Sequence, residues 1–145
     1  MSEEWTWSIE SEFPSTLGAH LPVLEEVLRR IADLGWEGRD YFGVQMTLEE
    51  SLTNAIRHGN EADPSKTVRV SCKASPERFW LRVEDEGEGF NEEDVPDCRE
   101  ESRLERLGGR GMLLIHAYME EVHLNDCGNV ITVQTHRGYE GPSDI

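Results

Sequence analysis

Cations are scarce in this chain: 14 Lys and Arg face 30 Asp and Glu, a formal net charge of −16 at pH 7. Such a field repels DNA, RNA and anionic membrane surfaces, so direct nucleic-acid binding is not expected. Apolar residues never run on for the roughly 18 positions that a membrane span needs. The opening Met1-Ser2-Glu3-Glu4-Trp5 has neither the basic nor the apolar region of a signal peptide, which predicts a cytoplasmic chain without a membrane partner. Cysteine is rare as well. Cys72, Cys98 and Cys127 form no C-x-x-C pair and no even framework, and the five histidines show no H-E-x-x-H spacing, so reduced thiols are expected and structural zinc is not. Two familiar nucleotide signatures are also missing, the Walker G-x-x-x-x-G-K-[ST] and the dinucleotide turn G-x-G-x-x-G, and the folds they mark are excluded.

What is present suffices for one folded unit. The 145 residues are 37% hydrophobic and include 4 Trp, 3 Tyr and 4 Phe. A chain of this length buries roughly two thirds of the surface that its unfolded form exposes, and this one is too aromatic for disorder. A single domain over residues 1–145 is expected, with no repeat and no dividing linker.

Trp5, Trp7 and Ile9 alternate with Thr6 and Ser8 as a half-buried strand does, and Pro14 with Gly18 closes that segment. Leu21, Leu24, Leu28 and Ile31 recur at helical spacing within about 17–34, and Gly35 is placed to end that helix. A second helix is predicted over about 37–58, with Tyr41, Val44, Leu48, Leu52 and Ala55 along one face. Val68, Val70 and Cys72, then Phe79, Leu81 and Val83, alternate with polar neighbours on either side of Ser75-Pro76-Glu77, which reads as a hairpin. From Glu84 to Arg106, 11 acidic residues meet 3 basic ones with little apolar periodicity, the pattern of a long mobile loop. Met112 to Tyr118 is apolar on nearly every side and predicts a buried helix. Strands over about 121–125 and 130–136 flank a Cys127-Gly128-Asn129 turn.

Three elements carry chemistry. Glu50 and Asn54 stand four apart on the second helix, roughly opposite its apolar face, and can converge on one ligand. A carboxylate and an amide oxygen there suit a general base and a single hard ligand for Mg²⁺, although on its own such a pair is more often a solvated helix face. Asp85-Glu86-Gly87-Glu88-Gly89 follows a strand directly. Its carboxylate accepts hydrogen bonds from a donor such as the exocyclic amine of adenine, and its glycines allow close backbone approach; alone it is equally an acidic turn. Gly108-Gly109-Arg110-Gly111 feeds the helix beginning near Met112, where exposed amides form a ready phosphate site or a tightly packed helix start.

In order, Glu-x-x-x-Asn on a helix, Asp-x-Gly-x-Gly after a strand 31 residues on, and Gly-x-Gly before a helix 24 residues later form a pattern that resembles the GHKL ATPases. That superfamily comprises gyrase B, Hsp90, MutL and the histidine-kinase catalytic domains. Glu50-Ser51-Leu52-Thr53-Asn54-Ala55-Ile56-Arg57-His58-Gly59 is most similar to the N box of the anti-sigma factor serine kinases of the RsbW and SpoIIAB type. The resemblance spans nearly the whole chain. It implies an α+β two-layer sandwich of the Bergerat kind, a mixed and mainly antiparallel sheet covered on one face by helices.

The same resemblance implies ATP and Mg²⁺ as cofactors. Glu50 matches the catalytic base that activates a protein hydroxyl, and Asn54 the Mg²⁺ ligand. Asp85 matches the adenine-amine acceptor, with Gly87 and Gly89 shaping the pocket. Gly109, Arg110, Gly111 and Met112 match the phosphate-facing segment, and residues 91–107 the ATP lid. One position departs: the threonine often found after a glycine near the penultimate strand is Asn129 after Gly128, and Thr132 is out of register, so no adenine-side contact carries over there. The implied activity is ATP-dependent phosphorylation of a serine or threonine on a small antagonist (anti-anti-sigma) protein, with a sigma factor or similar regulator as the second partner; a homodimer stays open. Arg99, Arg103, Arg106 and Arg110 offer phosphate-neutralising charge, or surface salt bridges with adjacent Glu residues. Two alternatives remain, an ATP-binding interaction module that switches a partner without transfer and the catalytic piece of a split histidine kinase. Against the latter, His20, His58, His116, His123 and His136 lie in no recognisable acceptor motif, and structural or solvated roles are expected for them.

Overall fold

Period-two alternation builds one five-stranded sheet from β1 (Trp7–Pro14), β2 (Thr67–Ala74), β3 (Arg78–Glu84), β4 (Glu121–Leu124) and β5 (Val130–His136), in the order β1-β2-β3-β5-β4. The computed structural model describes residues 5–59, 63–86, 109–125 and 129–141. Every strand pairing among them is antiparallel, which fits the α+β sandwich with a mainly antiparallel sheet that the resemblance implied, although no parallel pair makes the sheet mixed among the described residues. The reason lies in the connections: β2–β3 and β4–β5 are hairpins, and two helices return the chain between β1 and β2 to the end where β1 stopped. One inward row, Ile9, Cys72, Leu81, Val133 and Val122, crosses all five strands in register. A one-residue slip would put Arg82 and Thr132 into the core, which fixes the register. In the β2–β3 turn the Ser75 N–H donates to the Arg78 carbonyl at 2.9 Å while the Ser75 hydroxyl accepts the Arg78 N–H at 3.0 Å.

Helices α1 (Leu21–Asp33), α2 (Gly38–Asn54) and α3 (Gly109–Tyr118) make up the second layer. Val23, Leu24, Val27 and Ile31 of α1 are buried. The helix ends at Gly35 (φ +99°), whose N–H donates to the Ala32 carbonyl while the Trp36 N–H donates to that of Ile31, both at 3.0 Å. This is a left-handed C-terminal cap that glycine adopts without strain. It drops Trp36 into the core, where its indole N–H donates to the Ser75 carbonyl at 2.9 Å and its ring meets Phe79 edge-on.

Two expectations about the helices need correction. The α-helical part of the second helix stops at Asn54, and a π-helical turn, Ala55–Gly59, continues it. The wider turn lets the consecutive residues Ala55 and Ile56 both face the core. Nor is the third helix buried all round: Ile115 is buried, but Leu113 is 72% exposed. The cause is one-sided packing of α3 on α2 through Gly43, where an added Cβ would lie 2.7 Å from the Tyr118 ring.

The sandwich has two ends. Pro14, Thr67 and Glu84 mark one, and Ala74, Arg78 and His136 the other. α2 starts at the His136 end, where both oxygens of Asp40 accept the Gly138 N–H at 3.1 and 3.2 Å. Seventeen residues at about 1.5 Å rise match the length of the strands, so the last turns of α2 reach the Pro14 end.

Candidate functional site

Glu50 and Asn54 therefore sit at the Pro14 end, one helical turn apart and half-buried. Beside them on the same helix, Thr47 and Ser51 are buried, and neither hydroxyl has a hydrogen-bond partner. Thr53, two residues further on, instead donates to the Glu49 carbonyl at 2.7 Å. Buried hydroxyls are ordinarily paired; among the described residues Thr135, on β5, has a third buried hydroxyl of this kind. Sequence reading passed over Thr47 and Ser51 because two polar residues next to an apolar stripe look solvated.

Asp85 continues the inward parity of Leu81 and Val83 one step beyond β3, and it is buried at 5% exposure. Its main chain is held from β5: the Asp85 N–H donates to the Asn129 carbonyl, and the Asn129 side-chain amide donates to the Asp85 carbonyl, both at 2.9 Å. On the other side the Thr67 N–H donates to a Glu86 carboxylate oxygen at 2.6 Å. Asn129, unassigned from sequence, is thus a partner of the residue most strongly marked as a nucleotide contact. A groove of about 450 Å³ lined by Thr67, Arg69, Glu84, Asp85, Glu86 and Asn129 runs past this point. Arg69 and Glu84 belong to the sheet face away from the helices, so the groove is distinct from the side that Glu50 and Asn54 share.

The C-terminal end of α3 is fixed at the start of α2. Arg39 donates to the Ala117 carbonyl at 3.3 Å and covers the Tyr118 ring at 4.6 Å, and Phe42 meets that ring edge-on. From there α3 packs along α2. Its first turn contains Gly109, Arg110, Gly111 and Met112, so the helix starts earlier than the expected Met112. The first N–H groups of a helix have no intrahelical partner and favour anions. Glu50, Asn54 and Asp85 thus belong to the same end of the sandwich. Gly87, Gly89, the 91–107 segment, Arg99, Arg103, Arg106, Cys98 and Cys127 lie outside the described residues, as do the side chains of His58, Arg110 and Met112.

The donor set suits Mg²⁺. Among the described residues no group of three or more His, Cys, Asp or Glu could cage an ion. An amide oxygen at Asn54 instead offers one hard ligand to an ion that keeps waters and phosphate oxygens around it. Of the histidines whose side chains are described, His20 is buried, and His116, His123 and His136 are exposed. Burial holds His20 below the ordinary imidazole range, with Glu49 raising it and Arg57 lowering it. Burial also pushes the Cys72 thiol far up, which leaves it inert. No helix among the described residues is long and apolar enough to cross a membrane.

Comparison with known proteins finds a family and relatives. A family model described as a histidine kinase-like ATPase domain matches residues 13–135. An anti-sigma F factor of Anoxybacillus flavithermus is 33% identical over 86 residues, 56% of this chain and 57% of that protein. One from Heyndrickxia coagulans is 31% identical over 103 residues, 65% and 68% of the two chains. A serine-protein kinase RsbW of Listeria monocytogenes is 26% identical over 98 residues, 63% and 62%. The chain therefore matches between 57% and 68% of the length of these relatives.

Proposed function

The chain belongs to the histidine kinase-like ATPase family, and from that premise we propose that it is an anti-sigma factor-type protein kinase acting as one ATP-binding unit over residues 1–145. It binds Mg-ATP, phosphorylates a serine or threonine of a small antagonist protein, and holds a sigma factor or similar regulator as its other partner. The observation that carries this reading is that the last turns of α2, with Glu50 and Asn54, and buried Asp85, just beyond β3, belong to the same end of the sandwich. The relatives named anti-sigma F factor and serine-protein kinase RsbW support the same reading.

Each residue has a part. Asp85 accepts the exocyclic amine of adenine, the amides of Gly109, Arg110, Gly111 and Met112 face the phosphates, and Asn54 lends its amide oxygen to Mg²⁺. That ion, when bound, neutralises phosphate charge in a chain that already carries −16. Glu50 takes the proton from the incoming hydroxyl as its oxygen bonds to the γ-phosphorus and the bond to the bridging oxygen breaks, leaving ADP. A base of this kind contributes about 10²–10⁴-fold. Glu50→Gln keeps shape and helix propensity, so Mg-ATP affinity by calorimetry should stay within about threefold while radiolabel transfer to the antagonist collapses. Transfer at the wild-type rate by the Gln variant would remove Glu50 from the chemistry.

A further inference from the structure

The ladder between β3 and β5 ends at the pair Glu84–Val130. The next pair is Asp85 with Asn129, and it closes in an unusual way. A hydrogen-bonded antiparallel pair exchanges two backbone bonds. The first is present, from the Asp85 N–H to the Asn129 carbonyl at 2.9 Å. The return bond is not made by the Asn129 backbone N–H, which donates to the Asn125 side-chain oxygen at 3.0 Å. The Asn129 side-chain amide makes it instead, donating to the Asp85 carbonyl at 2.9 Å. Its own oxygen accepts from the Asn125 amide nitrogen at 2.7 Å. The two contacts together fix the orientation of the Asn129 amide, since a flipped group would set oxygen against the Asp85 carbonyl.

We infer that Asn129, locked by Asn125, is a positioning residue that sets base selectivity by holding the main chain of Asp85 at both its polar atoms. This rests on the proposed reading of Asp85 as the adenine acceptor. A carboxylate discriminates adenine from guanine only while it stays aimed at the exocyclic amine, because guanine presents a carbonyl oxygen to the same place and repels it. Asn129 acts through Asp85: its side-chain oxygen and one N–H are engaged within the chain. The arrangement lets β5 begin its turn toward Asn125 without releasing Asp85.

The test compares ATP, GTP and inorganic tripolyphosphate binding by calorimetry in wild type, Asn129→Ala, Asn129→Asp, Asn125→Ala and Asp85→Asn. Asn129→Asp is isosteric but cannot donate to the Asp85 carbonyl and sets a charged oxygen against it, so it should lose at least as much as Asn129→Ala. Asn129→Ala should lose about threefold to tenfold in ATP affinity, the range for one hydrogen bond, and both variants should lose most of the ATP over GTP preference, while tripolyphosphate binding stays put. Asn125→Ala should move the same way by less and serves where the Asn129 variants fold poorly. In the nucleotide-free protein, amide exchange at Asp85 should speed up in each Asn129 variant, which reads the clamp independently of any ligand. If Asp85→Asn weakens ATP while the Asn129 and Asn125 variants keep wild-type selectivity and Asp85 exchange, the positioning role is wrong and the reading of Asp85 stands. Unchanged ATP affinity in a folded Asp85→Asn protein overturns both.

Discussion

The two ends of the sandwich are built on different principles. At the His136 end, side chains reach across large sequence separations to bind backbone carbonyls and amides, and they tie the helix layer to the sheet. Trp36 donates to Ser75, Arg137 donates to Gly35 at 2.7 Å and to Pro76 at 3.2 Å, and Asp40 accepts from Gly138. At the Pro14 end the Asn129 amide donates to the Asp85 carbonyl and the Thr67 N–H to Glu86, bonds within the sheet layer, and the facing helix carries half-buried Glu50 and Asn54. The layers are fastened at one end, and the other is left polar. The rigidity that aims a site's groups can be supplied from elsewhere in the fold.

If that division is real, damage at the His136 end should cost stability without touching recognition. Trp36 is 2% exposed and combines the Ser75 bond with the Phe79 contact. Truncating a buried large aromatic costs about 3–5 kcal/mol. Trp36→Ala should therefore show the largest stability loss of the substitutions considered for this comparison, read as a lowered denaturant midpoint with an unchanged slope. Adenine nucleotide affinity of the molecules that remain folded should stay within about twofold. A parallel collapse of affinity would mean that the ends are mechanically one.

Gly43 tests the seam between them. An added Cβ would meet Tyr118 atoms at 2.7 to 3.0 Å, including its Cβ, which cannot swing away as a chain tip would. Overpacking of this kind costs about 1–3 kcal/mol, against a gain of at most about 1 kcal/mol from replacing a helical glycine. Gly43→Ala should thus be destabilising by a smaller amount than Trp36→Ala. Because Tyr118 ends the helix whose first turn is proposed to face the phosphates, the variant should also weaken Mg-ATP several-fold by calorimetry. Loss of stability with affinity untouched would show that the start of α3 does not report on its far end.

What was legible in the sequence was whatever local periodicity decides. Alternation in Val68–Cys72 and Phe79–Val83 gave the strands and their inward faces, and Gly35 marked the end of α1 because a left-handed cap selects glycine. Glu50, Asn54 and Asp85 were legible as a spaced set, and all three came to one end. Properties set by distant partners were not legible. The exposure of Leu113 depends on which side of α3 meets α2, which apolar composition does not encode. The π turn after Asn54 leaves the hydrophobic spacing almost unchanged. The Asn129 contact with Asp85 spans 44 positions and belongs to no short pattern.

The smallest expected effect concerns pH and again separates the ends. His20 is buried beside the start of α1, with Glu49 and Arg57 as the charged groups that act on it. Burial holds it below the unfolded value of about 6.5, so between its folded value and that figure the unfolded chain binds more protons than the folded one. Stability from this group is fully present above about pH 6.5, falls as pH drops through the interval, and levels off below the folded value. His20→Gln should flatten the stability curve between about pH 5 and 7. The neighbours should act in opposite directions: Glu49→Gln removes the group that raises His20 and steepens the fall, while Arg57→Gln removes one that lowers it and makes the fall shallower. Thermal midpoints across that interval for the three variants and wild type provide the check. Curves for Glu49→Gln and Arg57→Gln that shift the same way would place the pH response in some group other than His20.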